Sequence, residues 1–211
     1  TTRWIDDTRA LLFTLGYFYF YDYTASSRTL ALDTSATLTL PDRATKTYSG
    51  YANKNHKVLY AVDTASGSVT DTLQVYTDSG SGYTLDSTDL TDDIASFNGF
   101  RVGHRQISVS NNGKVMVIGD PTYNLVGDFP TGTAPGRFYI FERSSLSDNF
   151  DFANPDATFT GTGDQRLGYN VIISGDGNVV VAATWDTANY ENELFQKSSG
   201  TWSKITDTSL D

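Results

Sequence analysis

Leu167-Gly-Tyr-Asn-Val-Ile-Ile-Ser-Gly-Asp-Gly-Asn-Val-Val-Val-Ala-Ala-Thr184 decides how the rest of the sequence is read. Val171–Ile173 and Val179–Ala183 are apolar runs rich in valine and isoleucine. They flank Ser174-Gly175-Asp176-Gly177-Asn178, whose residues tolerate positive φ, so the stretch is a hairpin signal. Neither run alternates with polar residues, so both faces of both strands are expected to be covered. The motif recurs. Ile107-Ser-Val-Ser110 leads into the turn Asn111-Asn112-Gly113 and then Lys114-Val-Met-Val-Ile-Gly119. Fainter copies lie at Lys54–Val62, around His56, and at Asp6–Phe13, around Thr8.

Working outward, each hairpin is followed by an aromatic-rich run: Tyr17–Tyr23, Leu73–Tyr76, Arg137–Phe141 and Glu193–Gln196. A Ser/Gly turn follows each run, and then a closing strand: Thr29–Leu32, Tyr83–Leu85, Phe150–Phe152 and Thr201–Ile205. Four antiparallel strands repeated at roughly 50 to 65 residues is the pattern of propeller blades. The fold class is therefore all-β, a β-propeller-like array of about four four-stranded blades, with a β-sandwich as the alternative. Residues 1–211 read as one repeat domain with approximate units 1–40, 41–92, 93–160 and 161–211. Thr206–Asp211 matches Ala36–Leu40, a surplus end that fits either strand exchange closing a small ring or blades of a larger one.

Composition agrees and removes whole classes of function. The 211 residues carry a formal charge of −10, with 13 Tyr, 12 Phe and no Cys. Aromatic and Thr-rich sequence favours strands. An acidic chain lacks the basic stripe that tracks phosphates, so neither nucleic acid nor an anionic membrane is an expected partner. Without cysteine there is no disulfide, thiolate nucleophile or sulfur-ligated zinc. No apolar run is long enough to span a bilayer as a helix, so membrane insertion is not expected.

Leu167–Thr184 together with Gly136-Arg-Phe-Tyr-Ile-Phe-Glu-Arg-Ser144 resembles FG-GAP-type repeats, the propeller repeats of integrin α chains and of many microbial, algal and large-virus surface proteins. Leu167-Gly168 and Val102-Gly103 stand for the family's Phe-Gly. Ala182-Ala183-Thr184 and Gly119-Asp120-Pro121 stand for its Gly-Ala-Pro. The resemblance implies a propeller and raises calcium as a cofactor. The metal-binding version needs oxygen ligands at the first, third, fifth and ninth loop positions. Ile172 and Val180 fall at the first and ninth of these, beside Ser174 and Asp176, and Ser108, Ser110, Asn112 and Met116 do no better in the third unit. No metal and no cofactor is expected.

Candidate chemistry is sparse. His56 and His104 form no ligand pair, and no Gly-x-Ser-x-Gly elbow surrounds a serine near His104. Asp86, Asp89, Asp92, Asp93, Asp148, Asp151 and Asp156 could supply paired carboxylates for glycoside hydrolysis, although solvated loops are their default place. Tyr17–Tyr23 reads as core strand. Units differ most between second and third strands, and equivalent loops of a repeat array share a face. Tyr123, Phe129, Trp185 and Tyr190 lie on those loops, where they either bind protein or carbohydrate or simply pack. Asn112, Gly113, Gly175, Asp176 and Gly177 read as structural turns. The expected role is a non-catalytic adhesive or structural module on a cell, filament or virion surface, with self-assembly or further blades as other partners. The alternatives are a glycoside hydrolase-like propeller and a piece of a larger propeller.

Overall fold

The computed structural model describes residues 2–4, 7–40, 48–55, 57–63, 73–80, 82–87, 107–127, 131–185 and 191–206. They form four separate antiparallel sheets, each a four-strand meander in sequence order. The first sheet is β1 (Thr2–Trp4), β2 (Arg9–Thr14), β3 (Tyr17–Thr24) and β4 (Thr29–Thr39). The second is β5 (Tyr48–Ala52), β6 (Val58–Asp63), β7 (Leu73–Asp78) and β8 (Tyr83–Ser87). The third is β9 (Ile107–Val109), β10 (Val115–Asp120), β11 (Arg137–Glu142) and β12 (Ala157–Thr160). The fourth is β13 (Asn170–Ile173), β14 (Val179–Ala183), β15 (Asn192–Ser198) and β16 (Thr201–Lys204). Each sheet packs on its sequence neighbour. This is the propeller arrangement, and it replaces the sandwich alternative, in which two sheets would share one core.

Three apolar clusters fill the gaps between sheets. Phe13, Phe18 and Phe20 of the first sheet meet Leu59 and Ala61 of the second. Phe13 lies so flat on Gly50 that a Cβ there would overlap its ring. Val58, Tyr60 and Val75 of the second meet Met116, Ile118 and Phe141 of the third. Val117, Phe138 and Ile140 of the third meet Val171, Val180, Ala182 and Phe195 of the fourth. Across these junctions rings meet small or branched side chains, as Phe13 meets Gly50, and also other rings, as Phe20 meets Tyr83 and Phe138 meets Phe195. Among the described residues no such cluster joins the fourth sheet to the first.

Polar groups add staples between sheets. Arg143, fully buried, donates from Nη1 to Asp86 at 2.6 Å and from Nε to the Gly113 carbonyl at 2.9 Å. Trp202 Nε1 donates to Glu142 at 2.6 Å, and Lys197 pairs with the same carboxylate. The hairpin turns form a third set. Ser110 Oγ and Ser174 Oγ accept from the amides of Val115 and Val179, and they donate to Asn112 and Asp176. Gly113 and Gly177 occupy positive φ at equivalent points. Asn53 takes the serine's place in the second sheet, accepting from the Val58 amide. Its Nδ2 reaches the Ser110 carbonyl at 2.8 Å, and Asn111 N donates to the Gly175 carbonyl at 3.0 Å. The turns of successive sheets are thus strung together at one end.

Three expectations need correction. The closing strand of the third sheet is Ala157–Thr160; Phe150 and Phe152 lie in the preceding loop and are buried as core plugs. The closing strand of the first sheet runs on to Thr39, with a bulge opposite Phe18 and Phe20. Coverage on both faces holds for the inner sheets only. In β3 Phe18 and Phe20 are buried while Tyr17, Tyr19, Tyr21 and Tyr23 are half-exposed, and β14 alternates in the same way. Residues 207–211 lie outside the described residues.

Candidate functional site

The loops from β10 to β11 and from β14 to β15 leave the sheets at the end away from the Ser-x-Asx-Gly turns, a consequence of hairpin topology. Asp120, the last residue of β10, pairs in register with Arg137, the first of β11, so their side chains share a side of the sheet. The Leu167-Gly168 segment seals this corner. Leu167 bridges Gly136 in parallel, and Gly168 presses its carbonyl so close to Gly119 that a methyl group at position 119 would overlap it. Gly119 is therefore required by close backbone approach.

Burial follows for Asp120, which is 2% exposed. Its Oδ1 accepts from the Thr122 hydroxyl at 3.3 Å, whereas Oδ2 has no hydrogen-bond partner and faces Arg137 Nε at 3.6 Å. Loss of solvent is the largest influence and pushes the carboxyl up to about 6, with Arg137 and Thr122 pulling only partly the other way. The Arg137 guanidinium stacks 3.5 Å over the Tyr123 ring and lies 4.6 Å from Tyr139. The corner therefore holds a carboxyl pushed up to about 6 beside a fixed cation, under an aromatic lid. Such a group can take a proton at physiological pH, and the cation can stabilise a developing negative charge.

A second group stands on the neighbouring loops. Arg166 is buried and donates to Asp164 Oδ1 at 3.1 Å and to the Gly132 carbonyl, with its guanidinium 5.0 Å from the Trp185 ring. Tyr169 packs on Trp185 at 4.8 Å. Asp164 is held below the usual carboxylate range, first by the Ala134 amide and then by Arg166. This group pins residues 132–134 to the sheet edge and reads as scaffold for the loop.

Of the loop aromatics expected to bind ligand, Tyr123 and Trp185 each carry a guanidinium on one face, and Phe129 and Tyr190 lie outside the described residues. Asn112, Gly113, Gly175, Asp176 and Gly177 sit in the turns at the opposite end, Asp176 Oδ1 taking the Ser174 hydroxyl at 2.5 Å. The carboxylate pair for glycoside hydrolysis does not assemble from the described candidates. Asp86 is consumed by Arg143 and Thr77, Asp148 and Asp151 accept from nearby turn amides, and Asp156 accepts from the Glu142 amide at the end of β11. Asp89, Asp92, Asp93, His56 and His104 lie outside the described residues. No three metal-ligating side chains converge among the described residues. Asp120 and Arg137 were missed because Gly119-Asp120-Pro121 reads as a Gly-Ala-Pro corner. The available signal was a charge where that pattern has alanine, directly after five apolar or glycine residues.

No protein-family model and no curated protein matches the sequence. Solved structures do. A proposed 6-phosphogluconolactonase from Bacteroides uniformis superposes with a TM-score of 0.56 at 14% identity over 97% of this chain and 52% of its own. One from Bacteroides fragilis gives 0.56 and 14% over 98% and 53%. The fold is a β-propeller. The chain spans about half the length of these two proteins. The comparison overturns the expectation of a non-catalytic adhesive surface module. Both of these proteins are described as proposed enzymes.

Proposed function

We propose that the chain belongs to a hydrolytic propeller enzyme that opens a small cyclic ester of the sugar-lactone type, with Asp120 as general base and Arg137 as the cation for the oxyanion. The observation that supports this most is Asp120 itself: buried, pushed up to about 6 and facing the Arg137 guanidinium at 3.6 Å. Perturbed carboxyls of this kind are enriched at functional sites. The descriptions of the two structural relatives point to the same reaction class, and that activity is theirs.

In the proposed step Asp120 takes a proton from water as the water oxygen attacks the ring carbonyl. The carbonyl electrons move to an oxyanion facing Arg137. Collapse then breaks the bond to the ring oxygen, which leaves with the proton returned from Asp120 and gives the open hydroxy acid. Hydrolysis of a gluconolactone and its 6-phosphate, followed by proton release in weakly buffered solution, tests the reading. Activity should rise with a single limb near pH 6 and fall at least a hundredfold in Asp120→Asn. Equal rates in wild type and variant, or a flat profile from pH 5 to 8, defeat it.

A further inference from the structure

The outer faces of the first and fourth sheets carry a second message. On the first, β3 presents Tyr17, Tyr19, Tyr21 and Tyr23 as a half-exposed ladder, flanked in register by Leu30 and Leu32, which are 55% and 43% exposed. On the fourth, Val179 and Val181 face outward beside Ile172, which is 58% exposed and pairs with Val181. Three of the six large apolar side chains exposed among the described residues therefore fall on these two end faces.

Charge is distributed against them. Among the described residues, the ion-paired groups on the strands of the end sheets lie on the inward faces. Arg9 reaches Asp22 and Asp33 there and stacks on buried Phe20; Lys204 pairs with Glu193, and Lys197 reaches across to Glu142. Pleat alternation leaves the outward positions just named uncharged, on a chain of net charge −10. Contiguous exposed apolar surface of this sort marks an interaction site.

We propose that the occupant is a second copy of this chain, the fourth sheet of each copy packing on the first sheet of the other to close one ring of eight blades. Continuity with the interior junctions argues for it. There, rings on one sheet already meet valine, alanine or glycine on the next, as Phe13 meets Gly50 and Phe138 meets Val180 and Ala182. Tyrosines of the first sheet over Val179 and Val181 of the fourth repeat that match, large on small. Twofold symmetry makes the two new junctions identical, so the ring closes instead of growing. Neither Asp120 nor any substrate takes part in this contact.

Sedimentation equilibrium and native mass spectrometry on the 211-residue chain test it. The expected mass is twice 23.1 kDa, constant with concentration. Ile172→Asp and Leu32→Asp should each reduce it to a single chain. Leu15→Asp, at an 83%-exposed position in the β2–β3 turn and off both faces, should leave it doubled. Ile172 and Leu32 are exposed in the single chain, so folding survives both changes, and circular dichroism checks this. A single-chain mass at all concentrations overturns the proposal. So does a mass that climbs past two chains, or a doubled mass in both aspartate variants.

Discussion

The junction between the third and fourth sheets and the outer face of the first are built from similar strands, yet they stand in different environments. β11 carries Phe138 and Ile140 toward the fourth sheet, both without exposure; β3 carries Tyr17, Tyr19, Tyr21 and Tyr23 outward, all half-exposed. The difference in side chain matches the difference in surroundings. Phenylalanine fills the dry junction between the third and fourth sheets, whereas tyrosine, apolar in body and polar at its tip, lines the face that meets water in the single chain. Apolar patterning alone therefore marks a strand as part of a blade but does not say that its neighbour is present.

The most direct way to break this contrast is to truncate one ring on each side. Phe138 stacks on Phe159 at 5.2 Å and meets Phe195 edge-on at 4.8 Å. Phe138→Ala should cost about 3–5 kcal/mol by urea titration, the transfer loss plus the cavity. Tyr19→Ala, assayed on the single chain in a Leu32→Asp background, should cost less than about 1 kcal/mol, because little area is lost from a half-exposed ring. Equal costs would mean the two regions do not differ in packing.

Arg143 sharpens the comparison at the junction between second and third sheets, because its buried pair with Asp86 has no counterpart on the outer end faces among the described residues. Asp86 is raised above its ordinary value, first by burial, despite Arg143 beside it. Arg143→Ala therefore strands a buried carboxyl and removes the donor to the Gly113 carbonyl, for a loss of about 3–5 kcal/mol. Asp86→Asn with Arg143→Met should recover much of it, since an apolar replacement removes the desolvation cost as well as the attraction. A double variant no more stable than the single one would place the cost in the Gly113 contact.

These contrasts also explain what was legible in the sequence. The strands of Leu167–Thr184 could be read because valine-rich runs and a Ser-x-Asp-Gly turn are local signals. The closing strand of the third sheet was misplaced because Phe150 and Phe152 look like a strand, but they reach the core from a loop. Asn53 takes the serine's turn role without the Ser-x-Asx-Gly pattern, and its link to the next sheet lies at Ser110, 57 positions away. Asp120 is more instructive still. Its burial comes from Leu167-Gly168 closing over the strand end, and no pattern within residues 115–121 contains that fact.

Titration examines that sealed corner. The folded protein holds Asp120 at about 6 against 3.8 for the free side chain, so the fold prefers the protonated form. Its favourable contribution is complete below pH 3.8 and is lost as pH rises through 6. Relative to wild type, Asp120→Asn should therefore gain stability by about 2–3 kcal/mol between pH 4 and 7.5, read as the change in the gap between two urea-melting curves. Asp176 and Asp148 oppose this trend in both proteins. Turn hydroxyls hold them below their ordinary value, so their support is present above pH 4 and fades as acid protonates them. A gap that stays constant with pH would show that burial does not raise Asp120.

The smallest effect tests whether being clasped from both sides matters for turns as it does for strands. Ser110 and Ser174 do the same local work, each accepting from the amide five residues on, at 3.0 and 2.9 Å. Ser110 lies between Asn53 of the second sheet and the Asn111–Gly175 link to the fourth, and it is buried. Ser174 has a neighbouring turn on one side only among the described residues, and its environment is partly solvated. Ser110→Ala leaves the Val115 amide dry and unpaired, at about 1–3 kcal/mol, whereas water replaces the hydroxyl in Ser174→Ala for about 0.5–1 kcal/mol. If the second copy closes the ring as proposed, the Ser174 value should rise toward the Ser110 value in the two-chain form and fall back in Ile172→Asp. Two serines with equal costs in both forms would assign the energy to the turn alone.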